Sequence, residues 1–428
     1  VVVQRSGELG RDGGGLWIRG IATFGANRSP LILVDGVERS MDDISVEEVE
    51  SVSILKDASA TAVYGVRAAN GVVLVTTRRG IAQAPVIEFK TEYGISDLPM
   101  LPKFLNGPDY ATLYNEALGR ENYSKEYIEN TRSGKDPYLY PNVNWFDETY
   151  KKYAQNANAT LNVRGGGEVA RYFVGLGYIK ENGNLKDNPD NDYKSNLDLQ
   201  RYNFRANIDV TLSKSTILEL EIGGNLTDLR TPGVGGTIYS STFTPAGELF
   251  YWAYQASPIG NPVRIPIGKD LNGKDIMGWA APTQVGESNP VERLMGSGFN
   301  TEFRNQFTSQ ISLNQDLKSV LDGLKFRLSY SFDANNTTTI SRRKNSTTYG
   351  VQGRDPVSGD LLFKEVTVGT EFLGYSNSLT SNRAKEMKAQ LLYNKAFGEK
   401  HHIGGMMMYY QRDYILGNAG SAILSLPY

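Results

Sequence analysis

The sequence contains no cysteine and only two histidines, which are adjacent at His401 and His402. The absence of cysteine excludes disulfide bonds, thiolate nucleophiles and thiolate metal sites. Two neighbouring histidines argue against a histidine-based catalytic triad and against a multi-histidine metal site. The 45 basic and 47 acidic side chains give a net charge of −2. No excess of positive charge therefore favours nucleic acid or an anionic membrane surface as a partner.

The sequence also has no apolar run of about 18 residues, which excludes a membrane-spanning α-helix of the usual length. An initiator methionine and a basic-then-apolar signal segment are missing too, because the chain opens with VVVQRSGELG. At its other end it stops at SAILSLPY without an obvious final element. We therefore expect this sequence to be a piece of a longer chain.

The first 80 residues differ in pattern from the rest. Asp57 is a suitable N-cap for a short helix over 58–63, and Gly65 follows where a C-terminal glycine belongs. Short apolar runs separated by turn signals flank this helix, at 31–34, 52–55 and 72–75. The segment therefore predicts a small α+β unit.

From Pro85 onward, apolar and polar residues alternate with the period of two that is typical of half-exposed β-strands. In 204–212, for instance, apolar side chains occupy every even position and polar side chains every odd one. The same pattern predicts strands over 87–95, 157–164, 171–179, 204–212, 216–226, 302–317, 324–333, 387–397 and 403–412.

The connections between these strands alternate between short turns and long loops. Short turns are expected near Gly166, 213–215, 319–323 and 398–400. Outer-membrane barrels combine short turns at one end with long loops at the other, whereas such long loops are uncommon in compact soluble domains. Most segments also reach the 9–11 or so residues that a spanning strand needs. The pattern favours an outer-membrane barrel, with a soluble all-β protein, of a carbohydrate-binding or adhesin type, as the alternative.

Three motifs in the first 80 residues carry a family resemblance. They are WIRGIATFG at 17–25, PLILVDGV at 30–37 and VEEVESVSILKDASATAVYGVRAANGVVLVTTRRG at 46–80. In order, spacing and identity they resemble the plug domain of SusC/RagA-like TonB-dependent outer-membrane transporters. We therefore expect an N-terminally truncated α+β plug domain over 1–80. Residues 81–428 would be the N-terminal portion of an antiparallel transmembrane β-barrel of about 22 strands, C-terminally truncated and with long extracellular loops.

The resemblance implies a function as well as a fold. Such transporters import an oligosaccharide, or less often a peptide, across the outer membrane of a Gram-negative bacterium, here of Bacteroidetes type. They need no cofactor, because the proton-motive force acts through the TonB–ExbB–ExbD complex, and a SusD-like surface lipoprotein closes over their external loops. No catalytic residue, metal site or nucleic-acid partner is expected. A glycosidase-like pair of carboxylates is not excluded by counting alone, but no pair is singled out.

Two groups of residues are candidates for contact with the substrate. By analogy with related transporters, the plug loops 20–30 and 36–43 would rise toward the external ligand cavity. The long loop 227–301 carries aromatic side chains, which stack on sugar rings but also pack against one another. The candidates are Phe24, Asn27, Arg28, Glu38 and Arg39 in the plug and Tyr239, Tyr251, Trp252, Tyr254 and Trp279 in the loop. Solvation of the plug residues and self-packing of the loop aromatics are the alternatives.

Charged residues of the plug are candidates for salt bridges to inward-facing residues of the barrel. The expected partners on the barrel wall are Arg205, Glu219 and Glu221. The alternative is ordinary solvated surface charge. The candidate ties in the plug are Arg19, Glu47, Glu50, Lys56 and Arg67.

Overall fold

The computed structural model describes residues 2–4, 7–11, 13–18, 29–56, 62–68, 70–98, 101–234, 244–283, 286–398 and 401–418. Two sheets dominate this part of the chain. A four-stranded sheet ends at Thr77, and a nine-stranded sheet begins at Gln83. Only a short connection separates them, so the small sheet leads directly into the large one.

The N-terminal region is a small sheet with apolar cores on both of its faces. Leu31, Leu33 and Val72 are buried on one side, and Val34 and Val73 on the other. The sheet order is β4-β3-β6-β5, with β3 and β6 parallel, while β1 and β2 pair separately. The strands are β1 (Val2–Gln4), β2 (Gly14–Leu16), β3 (Leu31–Val34), β4 (Val37–Glu38), β5 (Val49–Leu55) and β6 (Val72–Thr77).

The helical content of this region is 3-10 in type among the described residues. One-turn helices span Met41–Asp43 and Val46–Glu48, and a longer segment spans Ala62–Ala68. The predicted cap Asp57 and most of the predicted helix over 58–63 lie outside the described residues. Gly65 has a φ of 60° but does not end the helical segment, which resumes beyond it as far as Ala68. The segment is therefore interrupted at this glycine rather than terminated by it.

All nine predicted strands are present and lie in one antiparallel sheet, in the order in which they follow one another along the chain. This confirms the predicted succession of a small N-terminal unit and a run of long antiparallel strands. Four further strands, β12, β13, β16 and β17, form a separate small sheet. The strands are β7 (Gln83–Asp97), β8 (Tyr153–Gly166), β9 (Ala170–Asn182), β10 (Asp198–Ser213), β11 (Thr216–Pro232), β12 (Arg264–Lys269), β13 (Asp275–Ala280), β14 (Gly298–Asp316), β15 (Leu324–Arg343), β16 (Thr348–Arg354), β17 (Leu361–Thr367), β18 (Gly374–Phe397) and β19 (His401–Asn418).

Several strands are longer than the alternating pattern predicts. Strand β18 has 24 residues and begins at Gly374, although alternation is recognisable only from Met387. Its first half, GYSNSLTSNR, has only two large apolar side chains, Tyr375 and Leu379, among polar neighbours. Two apolar residues four positions apart are too weak a period-two signal to predict a strand, and this half of β18 is instead defined by its pairing with β15 and, from Thr380, with β19.

The two faces of the large sheet reverse the usual arrangement of a soluble protein. Apolar side chains point away from the plug and are exposed, as for Leu176 at 51%, Phe307 at 40% and Tyr330 at 43%. Polar side chains on the opposite face are buried, as for Asn207 at 1% and Glu221 at 2%. The sheet therefore presents an apolar outer surface and holds the plug on a polar inner surface, which we call the wall.

The long connections fold into a layer with its own apolar core at one end of the sheet. Trp145, Leu185, Leu249 and Leu294 are buried in this core. None of the helices in the described residues is long and apolar enough to cross a membrane. The helices are α1 (Gly107–Leu118), α2 (Lys125–Ser133), α3 (Trp145–Thr149), α4 (Pro245–Gln255) and α5 (Pro290–Gly296).

Candidate functional site: the interface of plug and wall

The turn between β3 and β4 brings the plug into contact with the wall. Asp35 and Gly36 both have positive φ, 50° and 83°, as a two-residue hairpin turn requires. The carboxylate of Asp35 accepts hydrogen bonds from the backbone N–H of Thr77 at 3.0 Å and from its hydroxyl at 2.7 Å. The Thr77 hydroxyl in turn accepts from Asn207 on β10 at 2.8 Å. From the far side, the Lys388 ammonium on β18 donates to the carbonyl of Gly36. The hairpin turn is thus held between two strands of the wall.

A buried ion pair lies beside this turn. The guanidinium of Arg205 on β10 donates to Glu48 of the plug, with Nε and Oε2 2.6 Å apart. Their side chains are 4% and 8% exposed. Burial raises the pKa of Glu48 above its ordinary value, and the favourable charge of Arg205 offsets this only in part. The pair therefore fixes the geometry of plug and wall at a considerable desolvation cost.

Arg79 joins the plug to the wall at the point where one domain passes into the other. It lies between β6 and β7 and contacts Asp209 at 2.9 Å, Glu219 at 3.8 Å and Glu221. Asp209 and Glu219 are direct cross-strand partners, so their carboxylates repel each other unless a cation lies nearby. Burial alone would lower the pKa of Arg79, but these carboxylates hold it above its ordinary value. Arg79 therefore neutralises an acidic patch of the wall.

A second group of contacts lies at the end of β4 and just beyond it. Arg39 forms a two-pronged ion pair with Asp333 on β15, with both N–O distances at 2.9 Å, and its side chain is 5% exposed. Glu38 accepts hydrogen bonds from Arg67 in the plug and from Arg412 on β19. Glu38 and Arg39 line a cavity of about 710 Å³ between plug and wall. These two predicted substrate-contact residues thus border a cavity but are engaged in ion pairs, and their contact with a substrate stays a prediction.

Three of the predicted plug ties, Glu47, Glu50 and Arg67, contact residues of the wall. Glu47 lies 3.1 Å from Lys90 on β7, and Glu50 lies 3.3 Å from Arg164 on β8. Arg67 donates to the hydroxyl of Tyr410 on β19 at 3.3 Å. Lys56 is exposed just after β5, and Arg19 lies outside the described residues.

The predicted wall residues pair with plug residues that sequence reasoning missed. Arg205 meets Glu48 rather than Glu47, and Glu219 and Glu221 meet Arg79. The available signal was the alternation itself, which places Arg205 on the inward face of β10, together with the RRG sequence just before the first long strand. Neither pattern identifies a specific partner.

The predicted loop aromatics fall into two groups. Trp252 is 7% exposed and has the guanidinium of Arg293 5.3 Å from its ring centroid. Trp279 is half-buried against the loop core with Arg264 4.0 Å from its ring. These positions agree with self-packing, the alternative considered above, and contact of Trp252 and Trp279 with a substrate stays a prediction. Tyr254 is 53% exposed, and Tyr251 contacts Trp252 edge to face. Their contact with a substrate stays a prediction, and Tyr239, Phe24, Asn27 and Arg28 lie outside the described residues.

The comparisons with known proteins agree with this architecture. Residues 1–72 match the family model of the TonB-dependent Receptor Plug Domain. The chain is 27% identical over 390 residues to TonB-dependent receptor P3 of Formosa agariphila, covering 89% of this chain and 32% of that protein. It is 30% identical over 190 residues to TonB-dependent receptor SusC of Bacteroides thetaiotaomicron, covering 41% of this chain and 18% of SusC. The chain thus spans about a third or less of the length of these relatives.

A solved structure shares the fold over nearly the whole chain. The structure of the RagAB peptide transporter superposes with a TM-score of 0.68 at 20% identity, covering 94% of this chain and 43% of that one. The large sheet and the small N-terminal sheet therefore share the fold of the corresponding part of that structure.

Proposed function

We propose that this chain belongs to a SusC/RagA-like TonB-dependent transporter and that the full protein imports a nutrient across the outer membrane of a Gram-negative, Bacteroidetes-type bacterium. The observation that carries the proposal is the reversed sheet. Its apolar face suits lipid, and its polar face holds a plug through ion pairs such as Glu48–Arg205 and Arg39–Asp333. A plug held by polar contacts closes the lumen and can be released when force is applied.

The substrate we propose is an oligosaccharide or a peptide. Exposed aromatic side chains such as Tyr254 in the loop layer suit either, since flat rings stack on sugars and also pack against peptide side chains. The peptide option is supported by the shared fold of RagAB, which is described as a peptide transporter. The competing soluble carbohydrate-binding or adhesin-type function is disfavoured because its sheet would bury the apolar face that is exposed here on Leu176 and Tyr330.

Energy and partners follow from the same premise. The proton-motive force would act on the plug through the TonB–ExbB–ExbD complex, without a cofactor and without a catalytic step. A SusD-like surface lipoprotein would close over the long loops, whose helices and separate core provide a folded surface at that end of the sheet. In the described residues no group of three or more His, Cys, Asp or Glu is placed to hold a metal ion.

The proposal is tested by deleting the complete parent gene and growing the strain on single carbon or nitrogen sources, a panel of glycans and a panel of peptides. We expect loss of growth on one substrate class, restored by the parent gene. Unchanged growth of the deletion strain on every glycan and peptide of both panels would contradict nutrient import.

A further inference from the structure

Three buried side chains of the wall each have an oxygen that accepts no hydrogen bond. They are Asn207 on β10, Glu221 on β11 and Gln310 on β14, and they are 1%, 2% and 4% exposed. The atoms are Oδ1 of Asn207, Oε2 of Glu221 and Oε1 of Gln310, and no donor among the described residues reaches them. A buried acceptor without a donor is costly, so these oxygens point to a bound species that serves them.

The register of the sheet places the three side chains next to one another. Asn207 is the direct cross-strand partner of Glu221, and Glu221 is that of Gln310. Direct partners on one face have Cβ atoms about 4.5–5.5 Å apart. Strands β10, β11 and β14 lie in the interior of the large sheet, each with a paired strand on both sides. The three side chains therefore form one site, which we call the Glu221 site.

Contacts with the plug fix the orientation of both amide groups. The amide nitrogen of Asn207 donates to the backbone carbonyl of Arg78 at 2.7 Å. The amide nitrogen of Gln310 donates to the backbone carbonyl of Asp35 at 3.4 Å. A flipped amide would set its oxygen against a carbonyl oxygen, and neither atom could donate. The Glu221 site therefore offers acceptors alone, beneath the turn between β3 and β4.

The surroundings of the Glu221 site carry more negative than positive charge. Glu221 accepts from Arg79 through its other carboxylate oxygen, and Arg79 neutralises this acidic patch only in part. Four carboxylates and two guanidinium groups meet here, so two negative charges are in excess. These groups belong to Asp35, Asp209, Glu219, Glu221, Arg79 and Arg327. The neighbouring cations do not correct the balance, because each pairs with a carboxylate of its own. These pairs are Arg39–Asp333 and Arg205–Glu48.

Neither water nor a proton satisfies the Glu221 site. A water molecule donates two hydrogen bonds, which leaves one of the three acceptors unserved and the charge unchanged. A proton on Glu221 serves one amide oxygen at most and leaves the other. A metal cation binds electron pairs of all three oxygens and offsets the charge as well.

The ligand set favours a monovalent cation over a divalent one. Ca²⁺ takes about six to eight oxygen ligands, with carboxylates prominent among them. The Glu221 site has one carboxylate and two neutral amide oxygens, in keeping with the absence of a His, Cys, Asp or Glu metal cluster in the described part of the chain. Neutral carbonyl oxygens are the ligands on which protein sites for K⁺ and Na⁺ rely.

We propose that the Glu221 site binds a monovalent metal cation of the Na⁺ type and that this cation stabilises the seated plug. Its effect reaches the plug through Asn207 and Gln310, because the same side chains hold the carbonyls of Arg78 and Asp35. The sequence led us to expect no metal site, since amide ligands on separate strands leave no motif. The inference goes beyond the proposed import function and does not depend on it.

The test is hydrogen exchange of the β6 amides, Val72–Thr77, in the full-length protein purified in detergent. Exchange is compared in choline chloride and in NaCl at equal ionic strength and pH, and calorimetric titration with NaCl gives the Kd. A cation that binds only the seated plug slows exchange through plug opening by a factor of 1 + [Na⁺]/Kd. At ten times the Kd we expect exchange about tenfold slower than in choline chloride, with one Na⁺ bound per chain.

Two variants remove the site, and a third is the matched control. Glu221→Gln removes the charge of the site, and Gln310→Met removes one of its oxygens and serves if Glu221→Gln does not fold. We expect each to abolish the dependence on Na⁺. Asp333→Asn makes the same change of acid to amide in a wall carboxylate that also pairs with a plug arginine, but whose two oxygens are both bonded to Arg39. It should keep the dependence on Na⁺.

Equal exchange of the parent protein in choline chloride and in NaCl would overturn the proposal and assign the three oxygens to water or a proton only. A dependence on Na⁺ that survives in both Glu221→Gln and Gln310→Met would also overturn it, as would one that is lost equally in Asp333→Asn. Slower exchange in CaCl₂ with no effect of NaCl would contradict a monovalent cation. The assay involves neither a nutrient nor TonB, so its outcome is independent of nutrient import.

Discussion

Replacing Glu48 by methionine removes one partner of a buried ion pair and leaves the guanidinium of Arg205 without its carboxylate. The pair has an N–O distance of 2.6 Å, and both side chains are more than nine-tenths buried. Loss of one partner from such a pair typically costs about 3–5 kcal/mol, because the remaining charge stays desolvated. We expect Glu48→Met and Arg205→Met each to destabilise the seating of the plug by that amount.

The double variant separates a buried-charge effect from a loss of packing. With both charges removed, no desolvation cost remains, and such replacements are often neutral or stabilising by about 1–4 kcal/mol. The raised pKa of Glu48 points the same way, since burial outweighs the favourable charge of Arg205. We therefore expect Glu48→Met/Arg205→Met to be at least as stable as the parent protein.

Hydrogen exchange of the β6 amides, Val72–Thr77, as a function of urea measures the free energy of plug opening in the full-length protein. Lys90→Ala is the control. It breaks the exposed pair Glu47–Lys90, whose side chains are 27% and 48% exposed, and should leave the stability nearly unchanged because water screens such a pair. A Glu48→Met effect no larger than that of Lys90→Ala would refute the reasoning, as would a double variant whose loss equals the sum of the single losses.

Three further predictions concern pH, the loop core and the outer face. The pKa of Glu48 in the folded protein is raised above 4.5, so its protonated form stabilises the seated plug below about pH 4.5. This contribution is lost as the pH rises through the raised pKa. Glu48→Gln should remove this pH dependence of the plug's opening free energy, as measured by exchange of the β6 amides. Leu294→Ala in the loop core should cost about 2–5 kcal/mol and increase proteolysis of the long loops, whereas Leu271→Ala, at a fully exposed position, should not. Leu176→Arg on the outer face of β9 should make folding into lipid vesicles less favourable by about 2–4 kcal/mol. Val169→Arg, at a short turn, should cost only about 0–1 kcal/mol.

The nine long strands were predictable because one physical condition acts on each of them along its length. One face of the sheet is apolar and the other polar, so apolar and polar residues alternate in segments such as 204–212. The prediction fell short where that alternation is weak, as in the first half of β18, where only Tyr375 and Leu379 are large and apolar. The 3-10 form of Ala62–Ala68 was missed because a capping pattern does not distinguish 3-10 from α-helical turns.

The partners across the interface were not predictable from local pattern. Alternation placed Arg205 on the inward face, but Glu47, Glu48 and Glu50 lie within four residues of one another and offered equivalent partners. The selection of Glu48 depends on the seating of the plug against β10, a contact between residues 157 positions apart. The loop aromatics posed the same difficulty, since Trp252 is buried and Tyr254, two residues later, is exposed on the same helix.

The measurement that tests the central claim most directly is the initial rate of nutrient uptake by cells carrying the full-length protein, with and without a protonophore and with and without TonB. The nutrient is the glycan or peptide identified by the growth panels. We expect uptake to fall to the level of the deletion strain in both conditions, while binding of the nutrient at the cell surface persists. Uptake that continues undiminished without TonB and without the proton-motive force would contradict a plug-gated, energised importer.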